Sequence, residues 1–137
     1  LSLLDDVPHA LPSLSRAAKL QKRASQVGFD WPAALPVVDN VREELDEVLE
    51  AMADNDPAAI ADEVGDLLFA AVNLARHLKV DPETALRGAN AKFERRFRFI
   101  EQALRDTHRP MEDCTLEELD ALWGEAKRQE KNVSNCG

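Results

Sequence analysis

Two short acidic motifs hold the residues best suited to chemistry: Glu43-Glu44-Leu45-Asp46-Glu47 and Glu63-Val64-Gly65-Asp66. Each lies in a segment whose apolar spacing predicts a helix, and the intervals within each motif place carboxylates on one helical face. Between Asp39 and Asp66 there are eleven acidic residues and one basic residue, Arg42, so this stretch carries −10 in a chain whose total is −9. A charge gathered on two consecutive helices calls for a counter-charge, and a divalent metal is the simplest one. Carboxylates without histidine or cysteine form a hard oxygen donor set, which suits Mg²⁺, with Mn²⁺ as a substitute. Mg²⁺ keeps several waters and is often completed by phosphate oxygens, so the site implies an anionic, phosphorylated substrate. Di-iron bundles use Glu-x-x-His pairs, and this sequence has none.

Helical geometry ranks the carboxylates. The second helix is expected to bury a stripe of Val38, Val41, Leu45, Val48 and Met52. At about 100° per residue, Glu44 falls at the edge of that stripe and Glu47 one step further round, while Glu43 faces away. Glu44 therefore ranks first, Glu47 second, and Glu43 as an outer or proton-accepting group. The third helix reads Leu67-Leu-Phe-Ala-Ala-Val-Asn-Leu-Ala75, apolar on every face except at Asn73, and is expected to pack against more than one neighbour. Glu63, Asp66 and Asn73 follow one ridge of it. Ionised carboxylates running into such a helix are costly unless paired or metal-bound. Gly65 costs up to about 1 kcal/mol against alanine in a helix, which implies a close approach to the backbone beside Asp66. Glu44, Glu47, Glu63 and Asp66 are thus the expected metal set. Asp46, Glu50, Asp54 and Asp56 read as solvated surface.

Cations for a polyphosphate occur in Asn90-Ala-Lys-Phe-Glu-Arg-Arg-Phe97. Lys92 and Arg96 are one turn apart, beside a Phe93/Phe97 stripe expected to be packed. Spacing alone equally allows helix salt bridges, such as Arg98 with Glu94 and Glu101. Trp123 and Lys127 are again one turn apart, and Phe29 and Trp31 sit in a loop, where contact with another element or subunit is favoured.

These residues need helices to hold them, and the chain supplies little else. Its 137 residues are one domain by length, 45% apolar with only five glycines, and no strand pattern is convincing. The fold expected is all-α, a bundle of four to five helices: Pro12–Val27, Pro36–Ala53, Pro57–Lys79, Pro82–Arg105 and Thr115–Gln129. Leu1–Ala10 reads as a linker or N-terminal extension, residues 11–130 as the domain, and 131–137 as a polar tail. No apolar run approaches the roughly 20 residues of a membrane span, and no basic-then-apolar leader is present. The acidic balance opposes nucleic-acid polymers and anionic lipid. Cys114 and Cys136 have no ligand spacing and read as free thiols of a cytoplasmic protein.

Taken together, Glu43-Glu44-x-x-Glu47 and Glu63-x-x-Asp66 resemble the metal motif of all-α nucleoside triphosphate pyrophosphohydrolases. Gln21-Lys-Arg-Ala24, Val27-Gly-Phe-Asp-Trp31, Gly65-Asp-Leu-Leu-Phe69 and Ala89-Asn-x-Lys-Phe-x-Arg-Arg-Phe97 more closely resemble MazG proteins, and the likeness runs from about Leu11 to Glu130. It is similar to the C-terminal module of tandem bacterial MazG. The resemblance implies a homodimer that cleaves nucleoside triphosphates to monophosphate and pyrophosphate with Mg²⁺. By position, Glu44, Glu47, Glu63 and Asp66 match metal ligands, Lys92 and Arg96, with Arg95 beside them, match phosphate-binding positions, and Trp123 and Lys127 match nucleotide-contacting ones. Asn73 shares the ridge of Asp66 and joins the nucleotide-binding candidates. Asp62 replaces the usual glutamate, and Asn40 and Ala59 stand where tandem proteins can have basic side chains, which leaves base preference open. The alternatives are a regulatory or dimerisation module that binds metal or nucleotide without turnover, and a pyrimidine-restricted dNTP pyrophosphatase. The proton acceptor is Glu43 or Glu47.

Overall fold

A computed structural model describes the backbone of residues 1–136 and the side chains of residues 1–132. The chain is all-α, as expected, with helices α1 (Ser13–Ser25), α2 (Ala34–Ala53), α3 (Pro57–His77), α4 (Pro82–Asp106) and α5 (Leu116–Cys136) and a 3₁₀ turn at Met111–Asp113. No strand occurs among the described residues, and none of their helices is long and apolar enough to cross a membrane. Two compact units are present, Leu1–Ala85 and Leu86–Gly137.

Local chemistry explains the helix ends. Gly28, at φ +87°, turns the chain after α1 in a conformation that side chains resist. Pro36 sits in the first turn of α2, two residues later than the observed start; first-turn N–H groups lack intrahelical acceptors, so proline is tolerated there. Asp56 caps α3 by accepting from the Ala59 N–H at 3.3 Å, with Pro57 following at the first helical position. Asp81 takes the Glu83 N–H at 3.2 Å and the Thr84 hydroxyl at 2.7 Å at the start of α4. The Thr115 hydroxyl accepts from the Glu118 N–H at 3.1 Å before α5. That last helix runs through the expected polar tail to Cys136, because no proline or glycine follows Gly124 before its end. The Cys136 thiol lies outside the described side chains; Cys114 is free.

In the first unit α2 lies along α3, and α1 also packs on α3. Gln21 of α1, buried, donates from Nε2 to the Phe69 carbonyl of α3 at 2.9 Å. The buried line of α2 is not the expected one. Val37, Val48 and Ala51 are buried, with Val41 and Glu44 between them, whereas Leu45 and Met52 are 49% and 54% exposed. The helix has apolar residues on two sides, and periodicity alone could not choose the side that meets α3. Glu44 consequently lies in the middle of the buried line, not at its edge. Helix α3 packs on both α1 and α2, as expected, and its buried Ala70 and Val72 lie about 200° apart around the helix, although Val64, Leu68 and Phe69 remain exposed. The expected close approach at Gly65 is absent within the chain, since a Cβ there would meet nothing within 4 Å. Gly65→Ala should therefore raise stability by about 0.5–1 kcal/mol through helix propensity. Thermal unfolding checks this; a lowered midpoint would mean that something outside the chain packs on that position.

In the second unit Ile100, Leu104 and Ala126 are buried. Arg109 joins the α4–α5 connection by pairing with Glu118 and donating to the Asp113 carbonyl at 3.1 Å.

Candidate metal and nucleotide site

Helices α2 and α3 bring Glu44, Glu63 and Asp66 together, with one carboxylate oxygen of each within 4.8 Å of the others. Glu47, one turn along α2 from Glu43 and close to both Glu44 and Glu63, completes the acidic set. Glu43 is exposed and stands outside the three-carboxylate group. Two oxygens, Glu44 Oε2 and Glu63 Oε2, are buried without a hydrogen-bond partner.

The electrostatics follow from that crowding. Hydrogen bonding with Glu47 pushes the Glu63 carboxyl up to about 7, helped by burial and by the charges of Glu47, Asp66 and Asp62. Glu44 is also raised, first by burial and then by Glu47 and Asp66, against a lowering hydrogen bond from Asn40. Like charges at this spacing hold protons when nothing else neutralises them. Orphaned oxygens, hard donors and raised proton affinity together fit a divalent cation held by Glu44, Glu63 and Asp66, with Glu47 adjoining.

A pH dependence follows. Below about pH 7 Glu63 is protonated in the metal-free protein, so cation binding must displace that proton. Apparent affinity for the cation should rise by up to about tenfold per pH unit and level off above about pH 7. Because the folded state binds the proton more tightly than the unfolded chain, metal-free stability should fall as pH rises from about 4.5 to about 7. Calorimetric titration and thermal unfolding in chelator test the two halves; a pH-independent affinity contradicts the assignment.

One turn from the carboxylates along both helices, a cavity of about 650 Å³ opens in the same unit. Asn40 lies a turn before Glu44, and Phe69 and Asn73 follow Asp66, so α2 and α3 carry the walls directly from the acidic group. Phe29 and Trp31 supply the aromatic side. Their loop is fixed by Asp30, whose Oδ1 accepts from Arg76 Nη2 at 2.5 Å and from the Trp31 N–H at 2.8 Å, and lies 2.9 Å from His77 Nε2. Burial pushes the Asp30 carboxyl up, but Arg76 and His77 outweigh it and hold the group below the ordinary carboxylate range. His77 is tucked against Asp30, with its side chain 11% exposed. Asn73 faces the cavity, and its Oδ1 accepts from Arg76 Nε and Nη2 at 3.1 and 2.8 Å.

The cationic candidates gather separately, in the second unit. Arg96 forks onto Glu130 through Nε (3.2 Å) and Nη2 (3.0 Å) and lies 5.2 Å over the Trp123 ring. Arg95 approaches the same carboxylate at 3.9 Å, and these arginines with Lys92 hold Glu130 below its ordinary range. Phe93 stacks on Phe97 (5.9 Å) and tilts against Trp123 (5.6 Å). The expected packed stripe is therefore open: Phe93 is 58% exposed. Arg98 pairs locally with Glu94 at 3.7 Å, the kind of helix salt bridge that spacing also allowed for Arg96. Lys127 is exposed on α5, between Trp123 and Glu130. Glu130 was not singled out by sequence reasoning, although its place two turns after Trp123 on the same helical face marks it.

Comparison with known proteins agrees with this inventory. Residues 35–99 match the family model described as MazG nucleotide pyrophosphohydrolase domain. The chain is 53% identical over 131 residues to the nucleoside triphosphate pyrophosphohydrolase of Escherichia coli K12, covering 94% of this chain and 50% of that protein. It is 43% identical over 126 residues to the nucleoside triphosphate pyrophosphohydrolase/pyrophosphatase MazG of Thermotoga maritima, covering 92% and 48%. It is 47% identical over 134 residues to the uncharacterized protein YabN of Bacillus subtilis, covering 95% and 27%. The chain thus spans about half the length of the first two relatives and less of the third. The matched segment contains Glu44, Glu47, Glu63 and Asp66; residues 35–99 thus form a MazG-type domain, and the chain is similar to MazG proteins over most of its length.

Proposed function

We propose that this chain hydrolyses nucleoside triphosphates to nucleoside monophosphate and pyrophosphate, with broad, house-cleaning specificity and with Mg²⁺ as cofactor and Mn²⁺ as a substitute. The observation that carries the reading is an oxygen-only carboxylate cluster beside an aromatic-lined cavity of about 650 Å³, in one unit and on the same two helices, with Asn40 lining the cavity and hydrogen-bonding Glu44. The names of the E. coli and T. maritima relatives support the same chemistry.

Glu44, Glu47, Glu63 and Asp66 hold the divalent cation in this proposal. That cation supplies charge neutralisation at the phosphate oxygens and an activated water. Phe29, Trp31 and Phe69 enclose the nucleoside and exclude solvent from it, which sets the α-phosphorus beside the carboxylates. Of the two proton acceptors the sequence left open, Glu47 is the better placed, because its carboxylate interacts with those of Glu63 and Glu44. Lys92, Arg95 and Arg96 are the cations proposed to bind phosphate oxygens of the substrate. Glu130 occupies only the Nε–Nη2 edge of Arg96 and leaves Nη1 available to a phosphate oxygen.

The molecule works as a homodimer in the cytoplasm under this reading. Leu49, Met52 and Leu68, all exposed on α2 and α3, supply the apolar area for self-association. A monomeric mass in solution at micromolar protein opposes that part. A panel of normal and damaged ribo- and deoxyribonucleoside triphosphates with Mg²⁺ tests the activity and its breadth. Release of nucleoside diphosphate and inorganic phosphate, or turnover of one pyrimidine substrate alone, would overturn it.

A further inference from the structure

The segment before α1, which reads as a linker or N-terminal extension, is built into the first unit. Val7 is 2% exposed, among the most buried apolar residues of the chain. Beside it the Asp6 carboxylate accepts from Arg23 Nη2 of α1 at 2.6 Å. The segment also folds on itself, with the Val7 N–H donating to the Leu4 carbonyl at 3.1 Å and the Leu4 N–H to the Ser2 hydroxyl at 3.1 Å. These anchors leave Leu4 in the wall of the same cavity that Phe29, Trp31 and Phe69 line. Leu4 itself is 41% exposed, so it contributes little to the core. An apolar side chain fixed over a cavity by a buried neighbour and an ion pair is placed to cover what enters that cavity.

We propose that Leu4 is a specificity-determining contact for the nucleoside, and that Asp6 and Val7 are positioning residues that hold it there. The proposal rests on the nucleoside reading of the cavity given above. An aliphatic side chain recognises shape and apolar area and reads no hydrogen-bond pattern, so this wall accepts different bases with modest discrimination. It acts on the nucleoside portion alone. Pyrophosphate, which has no nucleoside, does not meet it.

The test uses the whole chain and two ligands, adenosine monophosphate and pyrophosphate, each titrated calorimetrically in the presence of Mg²⁺. Leu4→Ser should weaken binding of adenosine monophosphate by about fivefold through lost apolar contact, with pyrophosphate affinity and thermal midpoint unchanged. Asp6→Asn, which loosens the anchor without touching the cavity, should shift adenosine monophosphate in the same direction by a smaller factor. In turnover, Leu4→Ser should raise KM and leave kcat within about twofold, as loss of uniform binding requires. Equal adenosine monophosphate affinity in wild type and Leu4→Ser, no adenosine monophosphate binding by the wild type, or parallel losses for both ligands overturns the proposal. A wild-type chain that binds adenosine monophosphate in a Leu4-dependent way but hydrolyses no nucleoside triphosphate overturns the hydrolytic reading alone.

Discussion

Replacing Glu63 by Gln or Asp66 by Asn should lower turnover of nucleoside triphosphates by roughly a thousandfold or more, the scale of losing several kcal/mol of charge stabilisation at the phosphates. The fold should survive both changes, and for a reason that separates this loss from ordinary damage. Hydrogen bonding with Glu47 and burial raise the Glu63 carboxyl to about 7 and burial raises Glu44, and in both cases repulsion from the neighbouring carboxylates adds to the rise. Neutralising one member relieves that repulsion. In chelator, each variant should therefore unfold at or above the wild-type midpoint at pH 8, where the acids are otherwise ionised. On addition of Mg²⁺ the wild type should gain stability by mass action, and the variants should gain little. A variant that loses activity and also unfolds earlier in chelator would mark these carboxylates as structural. A variant that retains turnover would remove them from the metal site.

The second large effect is expected at Arg96. Arg96→Ala should raise KM for nucleoside triphosphates by at least about tenfold, because a charge-assisted, planar donor set is removed from the phosphates. Arg96→Lys should recover only part of this, since lysine restores the charge but not the fork that Glu130 engages at 3.2 and 3.0 Å. Arg96→Ala should also lower the thermal midpoint, because Glu130 loses its principal partner and Trp123 loses the cation over its ring. Steady-state kinetics beside thermal unfolding distinguish the two contributions. Should Arg96→Ala reduce stability and leave KM unaltered, the arginine serves only the packing of α4 on α5.

The helices were legible from the sequence because their ends are marked by strong local chemistry. Asp56-Pro57, Asp81-Pro82 and Thr115 each cap a helix in the way their side chains dictate. The carboxylate group was legible for a similar reason: Glu63 and Asp66 are bound to one ridge of α3 whatever that helix packs against. What periodicity could not fix was rotation. Helix α2 offers two apolar sides, and only contact with α3 selects the one containing Val37, Val48 and Ala51, which moves Glu44 into the buried line. Partners distant in sequence were also hidden. Asp30 meets Arg76 and His77 from 46 and 47 residues away, and Arg96 meets Glu130 from 34. No local spacing announces such pairs. Residues 1–10 read as a linker or N-terminal extension because they lack helical periodicity, and nothing in their composition announces that Val7 is buried.

The central claim is that this carboxylate cluster directs water to the α-phosphorus of a nucleoside triphosphate. Hydrolysis of ATP by the chain in ¹⁸O-labelled water with Mg²⁺, followed by mass spectrometry of the products, tests it most directly. The account predicts one ¹⁸O atom in the adenosine monophosphate and none in the pyrophosphate. Label in pyrophosphate, or release of adenosine diphosphate with labelled inorganic phosphate, would contradict it.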